Sequence, residues 1–222
     1  MRAAMPAAGL FSLPDADARQ LAMLGINPPT AALLLDEVSD LKPGDWVIQN
    51  AANSGVGRSL IAVAKARGLK TINLVRRAEL VPELEAIGAD LVVVDEEGAL
   101  EKIKARVGDG RVRLAIDGVS GNSSAVIASA LSEHGTFIIY AYMGGGPVTI
   151  GPFDLIVSHV IARGFFMNHP DVEPKIPAAL REVVPLVASG AIHTPIMAVY
   201  PLSGFREAVA HVQRGGKVLF EI

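Results

Sequence analysis

Gln49-Asn50-Ala51-Ala52-Asn53-Ser54-Gly55-Val56-Gly57 follows the apolar run Trp46-Val47-Ile48 and leads into a helical stretch, Leu60 to Arg67, that stops at Gly68. A strand that passes into a helix through small residues turns main-chain N–H groups outward at the positive end of the helix dipole, where a phosphate or pyrophosphate binds. The glycine fingerprint is met only as Ala52-x-Ser54-x-x-Gly57 with an additional Gly55, so small side chains stand where the usual pattern has glycine. Taken alone, the turn also reads as a tight connection without a ligand.

Outward from this turn the same rhythm repeats. Lys42-Pro43-Gly44-Asp45 marks a turn before the first strand, and further strands are expected at 70–75, 91–94, 112–117, 136–142 and 160–166, with helices at 79–87, 100–107 and 123–131. Six apolar strands alternating with helices predict an α/β fold, a Rossmann doubly wound six-stranded parallel sheet with helices on both faces. Upstream, 15–35 has a helical pattern that restarts at Asn27-Pro28-Pro29. After Pro170 a polar, proline-spaced stretch leads to a helix near 178–189, and a last helix and strand look like an element returning to pack elsewhere.

Composition narrows the function. Of 222 residues 50% are hydrophobic, 19% charged and only 5% aromatic, so the core must be built from Ala, Val, Ile and Leu, as in a parallel sheet covered on both faces. The net charge of -3, with no stripe of Lys or Arg, gives no electrostatic reason to bind nucleic acid. Cysteine is absent, which excludes disulfides and thiolate metal sites and makes the cytoplasm the default location. The opening residues, broken by Pro6, Gly9 and Pro14, read as neither a signal peptide nor a membrane span, so no membrane partner is expected. His134, His159, His169, His193 and His211 lack the paired spacing of metal ligands.

The second strand ends in Arg76-Arg77, nineteen and twenty residues beyond Gly57. An NAD site usually carries Asp or Glu there to bond the ribose hydroxyls, and a carboxylate would repel a 2′-phosphate. Guanidinium pairs with that phosphate instead, so the expected cofactor is NADPH. The competing reading is a pair of solvated loop cations.

The tracts LGINPPTAALLL (24–35), PGDWVIQNAANSGVGRS (43–59), GLKTINLVRR (68–77) and IGAD (87–90) resemble the medium-chain dehydrogenase/reductase superfamily, and most of all its 2-enoyl thioester reductase branch. The resemblance implies a two-domain enzyme, with a nucleotide-binding domain inserted into a GroES-like catalytic domain. On this chain it makes 1–20 the end of the catalytic domain, 21–195 the NADPH-binding domain and 196–222 the return to the catalytic domain. Most of the N-terminal catalytic domain, with the tyrosine credited to catalysis in the branch, is then expected to be missing, and no residue here takes a catalytic role.

By the same resemblance Asn27 lies near the nicotinamide ribose, and Asn53, Ser54, Gly55 and Val56 form the pyrophosphate turn. Arg76 and Arg77 hold the 2′-phosphate. Tyr140, Ala141, Tyr142 and Met143 form the wall beside the nicotinamide, and Phe165, Phe166 and Met167 pass it, although the branch often has Trp at the position of Phe166. Lys217 approaches the cofactor phosphates. Leu24 occupies the place of a metal-binding cysteine in the zinc alcohol dehydrogenases, so no metal is expected.

The implied reaction is hydride transfer from NADPH to the C=C bond of a 2-enoyl thioester. A quinone oxidoreductase or alkenal reductase of the same superfamily, and a noncatalytic NADPH-binding module, are the alternatives. Members of the superfamily commonly form homodimers by pairing their sixth strands, here near 161–166.

Overall fold

The computed structural model describes residues 13–221. Two helices, α1 (Ala18–Leu21) and α2 (Asn27–Asp36), precede β1 (Trp46–Gln49). Strand and helix then alternate through α3 (Gly55–Ala66), β2 (Lys70–Val75), α4 (Val81–Ala86), β3 (Leu91–Val94), α5 (Ala99–Val107), β4 (Val112–Asp117), α6 (Asn122–Ser129), β5 (Thr136–Ile139), α7 (Pro152–Ile156) and β6 (Ile161–Gly164). The chain continues through α8 (Ile176–Ala188), β7 (Ile196–Pro201), α9 (Phe205–Gln213) and β8 (Lys217–Glu221). The first six strands form one parallel sheet in the order β3-β2-β1-β4-β5-β6, the doubly wound topology expected from the sequence. β7 and β8 pair in parallel as a separate two-stranded sheet.

The alternation of side chains along each strand divides the core into two layers. Val47, Leu114, Ile116 and Ile138 point to the layer of α2, α3 and α8, where they meet Leu33, Leu34, Leu60, Val63 and Val183. Trp46, Ile48, Ile72, Ala115 and Phe137 point to the opposite layer and meet Ile103 of α5 and Ile127 of α6. Each fully buried Leu or Ile contributes about 1.5–3 kcal/mol by leaving water, which makes these layers the main source of stability.

One polar row crosses the apolar sheet. Gln49 donates from Nε2 to Asn73 Oδ1 (2.8 Å) and to the Gly57 carbonyl (2.9 Å), while Asn73 donates to Thr71 Oγ1 (3.0 Å) and to the Leu91 carbonyl (3.1 Å). Because all three residues are buried, every one of these bonds replaces water that has no access.

Two strands are shorter than the apolar pattern suggests. β5 ends at Ile139 and β6 at Gly164, its register partner, so Tyr140–Tyr142 and Phe165–Met167 lie beyond the ladder. The last links are Tyr140 N–H to the Asp117 carbonyl (3.0 Å) and Phe165 N–H to the Ile139 carbonyl (2.8 Å); past them the two chains separate around a cavity. All four residues of β6 are exposed, and among the described residues the strand has a neighbour on one side only.

Candidate functional site

In an open parallel sheet, ligands bind where the strand order reverses, outside the carboxyl ends of the strands. Here that point lies between β1 and β4. A cleft of about 190 Å³ opens there, lined by Ala51, Asn53 and Ser54 after β1, Val75 and Arg76 at β2, Asp95 after β3, Val119 and Ser123 after β4, and Met143 and Gly144 after β5.

The turn is shaped by close approach. Ala51 takes a left-handed conformation (φ 48°), and Ser54 is extended and caps α3, its Oγ accepting from Gly57 N–H at 3.1 Å. A β-carbon on Gly57 would stand 2.5 Å from the Ala52 carbonyl oxygen, and one on Gly55 would stand 2.2 Å from Nδ2 of Asn27. At Gly57 the obstacle is backbone and only hydrogen fits, so the helix start packs on the strand; at Gly55 the space is taken by the Asn27 amide, which reaches the turn from α2. The start of α3, the positive end of its dipole, thereby stands directly behind Asn53 and Ser54 on the cleft, an arrangement that favours an anion.

Beneath the cleft lies a buried network for which sequence reading assigned no role. Asn50 Nδ2 donates to Asp117 Oδ1 (2.7 Å) and Ser123 Oγ (3.1 Å), and Asn50 Oδ1 accepts from Gly118 N–H (2.8 Å). Asp117 also accepts from the N–H groups of Val119 and Ser120, both at 2.9 Å, and from the Ser124 hydroxyl. The loops after β1 and β4 are thus held in fixed relation. The available signal was a polar residue ending each apolar strand, Asn50 and Asp117.

The two arginines have different surroundings. Arg76 lines the cleft and makes no ion pair among the described residues, whereas Arg77 is absent from the lining and its Nε lies 3.3 Å from Oε1 of Glu79. Asn53 and Ser54 line the cleft, Gly55 and Val56 open α3 behind them, and Val56 is packed in the core.

A second, wider cavity of about 630 Å³ lies beyond β5 and β6 and is lined by Tyr140, Ala141, Tyr142, Phe165 and Phe166. Tyr142 and Phe166 are exposed, while Phe165 is buried at its floor. Tyr140 lines the wider cavity, and its hydroxyl lies against Gly118 and beside the hydroxyl of Ser54, which lines the first cleft. Burial pushes the Tyr140 phenol above its ordinary value; the Ser54 hydroxyl opposes this and the Asp117 charge adds to it.

Three expected residues stand apart or face elsewhere. Met143 lines the first cleft and not the wider cavity. Met167 packs against the core and accepts from the Thr30 hydroxyl at 3.2 Å through its sulfur, because past Gly164 the chain turns in over α2. Lys217 begins β8 in the two-stranded sheet, exposed and outside both linings. Sequence reading missed Asp95, Val119 and Ser123 in the cleft.

The fold and cleft define a dinucleotide-binding protein of the doubly wound class. Residues 55–189 match the zinc-binding dehydrogenase family, and the chain belongs to that family. It is 36% identical over 211 residues to the mitochondrial enoyl-[acyl-carrier-protein] reductase of Mus musculus, a match covering 90% of this chain and 56% of that protein. To the mitochondrial enoyl-[acyl-carrier-protein] reductase of Dictyostelium discoideum it is 39% identical over 165 residues, covering 72% and 47%. The chain thus spans about half the length of these curated relatives.

Among solved structures, the Etr1p complex with NADP and crotonyl-CoA superimposes with a TM-score of 0.80 at 25% identity, over 90% of this chain and 61% of the other. The mitochondrial 2-enoyl thioester reductase heterodimer Etr1p/Etr2p of Candida tropicalis matches equally, with 0.80 and 25% over 93% and 63%. A mycobacterial quinone oxidoreductase shares the fold, with a TM-score of 0.83 at 24% identity over 93% and 66%.

The expected cytoplasmic location is corrected by these relatives, which are named as mitochondrial. That expectation drew on the lack of cysteine, which speaks to redox state and does not tell one reducing compartment from another. The family name implies zinc, but the residues present do not fit it. Leu24 is buried and apolar, and the described residues contain no group of three or more His, Cys, Asp or Glu placed to hold a metal ion. Nor is any described helix long and apolar enough to cross a membrane.

Proposed function

We propose that this chain is the NADPH-binding part of an oxidoreductase that reduces the C=C bond of a 2-enoyl thioester. The observation that carries the proposal is that the start of α3 stands on the same cleft as Arg76, a guanidinium without an ion pair among the described residues. The names of the curated relatives and the ligands of the Etr1p complex support the substrate class.

In this reading the α3 N–H groups and Ser54 hold the pyrophosphate and Arg76 holds the 2′-phosphate, with Arg77 beside it. Asn27 reaches the turn on the nicotinamide side. Tyr140, Ala141, Tyr142, Phe165 and Phe166 form the cavity in which the ring and substrate meet; Met143 lines the neighbouring cleft, while Met167, packed against the core, and Lys217, exposed on β8, take no part in this reading. When bound, NADPH supplies the hydride. The Tyr140 phenol, beside the Ser54 hydroxyl of the turn, offers a hydrogen bond between the cleft and the wider cavity.

The domain division belongs to the same proposal: 21–195 binds the cofactor, while 1–20 and 196–222 belong to a catalytic domain. The separation of the β7–β8 pair from the main sheet supports it. Pairing of two β6 edges into a homodimer is likewise proposed, supported by the exposure of that strand.

The test is a fluorescence titration of the chain with NADPH and NADH, followed by assay of the complete protein with crotonyl thioester and with a quinone. Tight NADPH binding and thioester turnover are expected. Equal affinity for the two dinucleotides, or turnover of the quinone alone, would overturn the proposal.

A further inference from the structure

Asp95 lies just past the end of β3 and lines the cleft on the side away from α6. Its backbone N–H donates to the Val75 carbonyl at 2.8 Å, which fixes its position beside the end of β2. Its carboxylate has neither an ion pair nor a hydrogen bond among the described residues, although it is partly buried. The next acid, Glu96, is occupied by Lys102 Nζ at 2.8 Å. Leu74, Val75 and Val119 share its part of the lining, and Arg76 on the same cleft makes no ion pair with it, so among the described residues the carboxylate is an acceptor without a donor.

The charge of Asp95 excludes it as a phosphate ligand, and no further ligating groups gather around it for a metal. What it can receive is a neutral N–H group on the edge of a flat ring held between apolar walls. Resting on the reading of the cleft as a dinucleotide site, we propose that Asp95 accepts a hydrogen bond from the exocyclic 6-amino group of the cofactor's purine. The site then selects adenine over a 6-oxopurine, which presents a carbonyl oxygen to the carboxylate at that position. The N1–H of a 6-oxopurine is one ring atom away and would meet Asp95 only if the base shifted in its slot.

The test compares NADPH with its hypoxanthine analogue by equilibrium titration of the chain and of Asp95→Ala and Asp95→Asn. A hydrogen bond to a charged acceptor discriminates by roughly tenfold or more, so the unaltered chain is expected to prefer NADPH by about that factor. In Asp95→Ala the ratio should fall to within about twofold, and Asp95→Asn should fall likewise, because an amide offers a donor as well as an acceptor. Removing a negative charge near a polyanion tightens both ligands together, so the ratio isolates the base. An unchanged ratio in both variants would overturn the assignment of Asp95 while leaving the cofactor site standing. Failure of the unaltered chain to bind NADPH at all would overturn the site and this inference together.

Discussion

The side-chain amide of Asn27 occupies the space that a β-carbon on Gly55 would need, with only 2.2 Å between them. α2 and the head of α3 are therefore fitted to each other at the turn proposed to hold the pyrophosphate. Gly55→Ala can be accommodated if the flexible Asn27 side chain swings away, so its cost in stability should stay below about 1 kcal/mol. NADPH affinity should nevertheless fall by roughly tenfold, the worth of one charge-assisted hydrogen bond. In Gly57→Ala the clash is with the Ala52 carbonyl, which is backbone, and an unfolding cost of about 1–3 kcal/mol is expected. Urea melts and NADPH titrations of the two variants check this contrast.

Arg76→Ala should lower NADPH affinity by roughly 10–100-fold and leave NADH nearly unchanged, because only the 2′-phosphate loses a charged partner. Arg77, already beside Glu79 and well exposed, should matter by less than about threefold. Isothermal titration of both variants with both dinucleotides decides the matter, and equal effects would mean that the two guanidinium groups share the task.

Tyr140 gives the chain a dependence on alkaline pH. Its phenol is pushed above the ordinary value of 10.0, chiefly by burial. Below pH 10 folded and unfolded chains both hold the proton and nothing changes. Above it the unfolded chain loses the proton first, so stability falls as pH rises toward the folded value. Tyr140→Phe should show a shallower decline in melting temperature above about pH 10 than the unaltered chain. Parallel melting curves in that range would count against the buried phenol.

Arg67 binds three elements at once: Nη1 to Asp36 of α2 (2.8 Å), and Nε and Nη2 to Glu182 of α8 (2.8 and 2.7 Å), from the end of α3. Arg67→Ala should cost about 1–3 kcal/mol in chemical unfolding, and Arg67→Lys should recover only part of it, since an ammonium cannot form the two-pronged contact.

Within β6 the N–H groups of Ile161 and Phe165, just past its end, donate inward to Gly135 and Ile139, so that of Ala162 points to the open edge. Ala162→Pro removes an outward donor while sparing the ladder. Sedimentation equilibrium should find this variant monomeric where the unaltered chain is dimeric, with NADPH affinity within about twofold. A dimer that survives the substitution would place the interface elsewhere.

The strand order and the small-residue turn into α3 were legible because each depends on short-range pattern: apolar runs of strand length, and small residues between a strand and a helix. What escaped depends on contacts between distant segments. Arg76 and Arg77 are adjacent in the chain, and nothing in one dimension shows that Glu79 lies beside only the second. Met167 follows two phenylalanines and reads like part of the same wall, yet the turn past Gly164 carries it over Thr30. Asp95 stands at the head of three consecutive acids, a run that reads as a solvated loop, and only the arrangement of β2 and β3 brings it to the cleft.

The amide pair Gln49 and Asn73 joins the very strands that carry the phosphate turn and Arg76. Sliding β2 by one residue would strand both amides in hydrocarbon, so the offset between the two strand ends is locked. The span from cradle to guanidinium thereby becomes a built-in ruler, graduated by the sheet itself. On the proposed reading of the cleft, a dinucleotide is measured against this spacing.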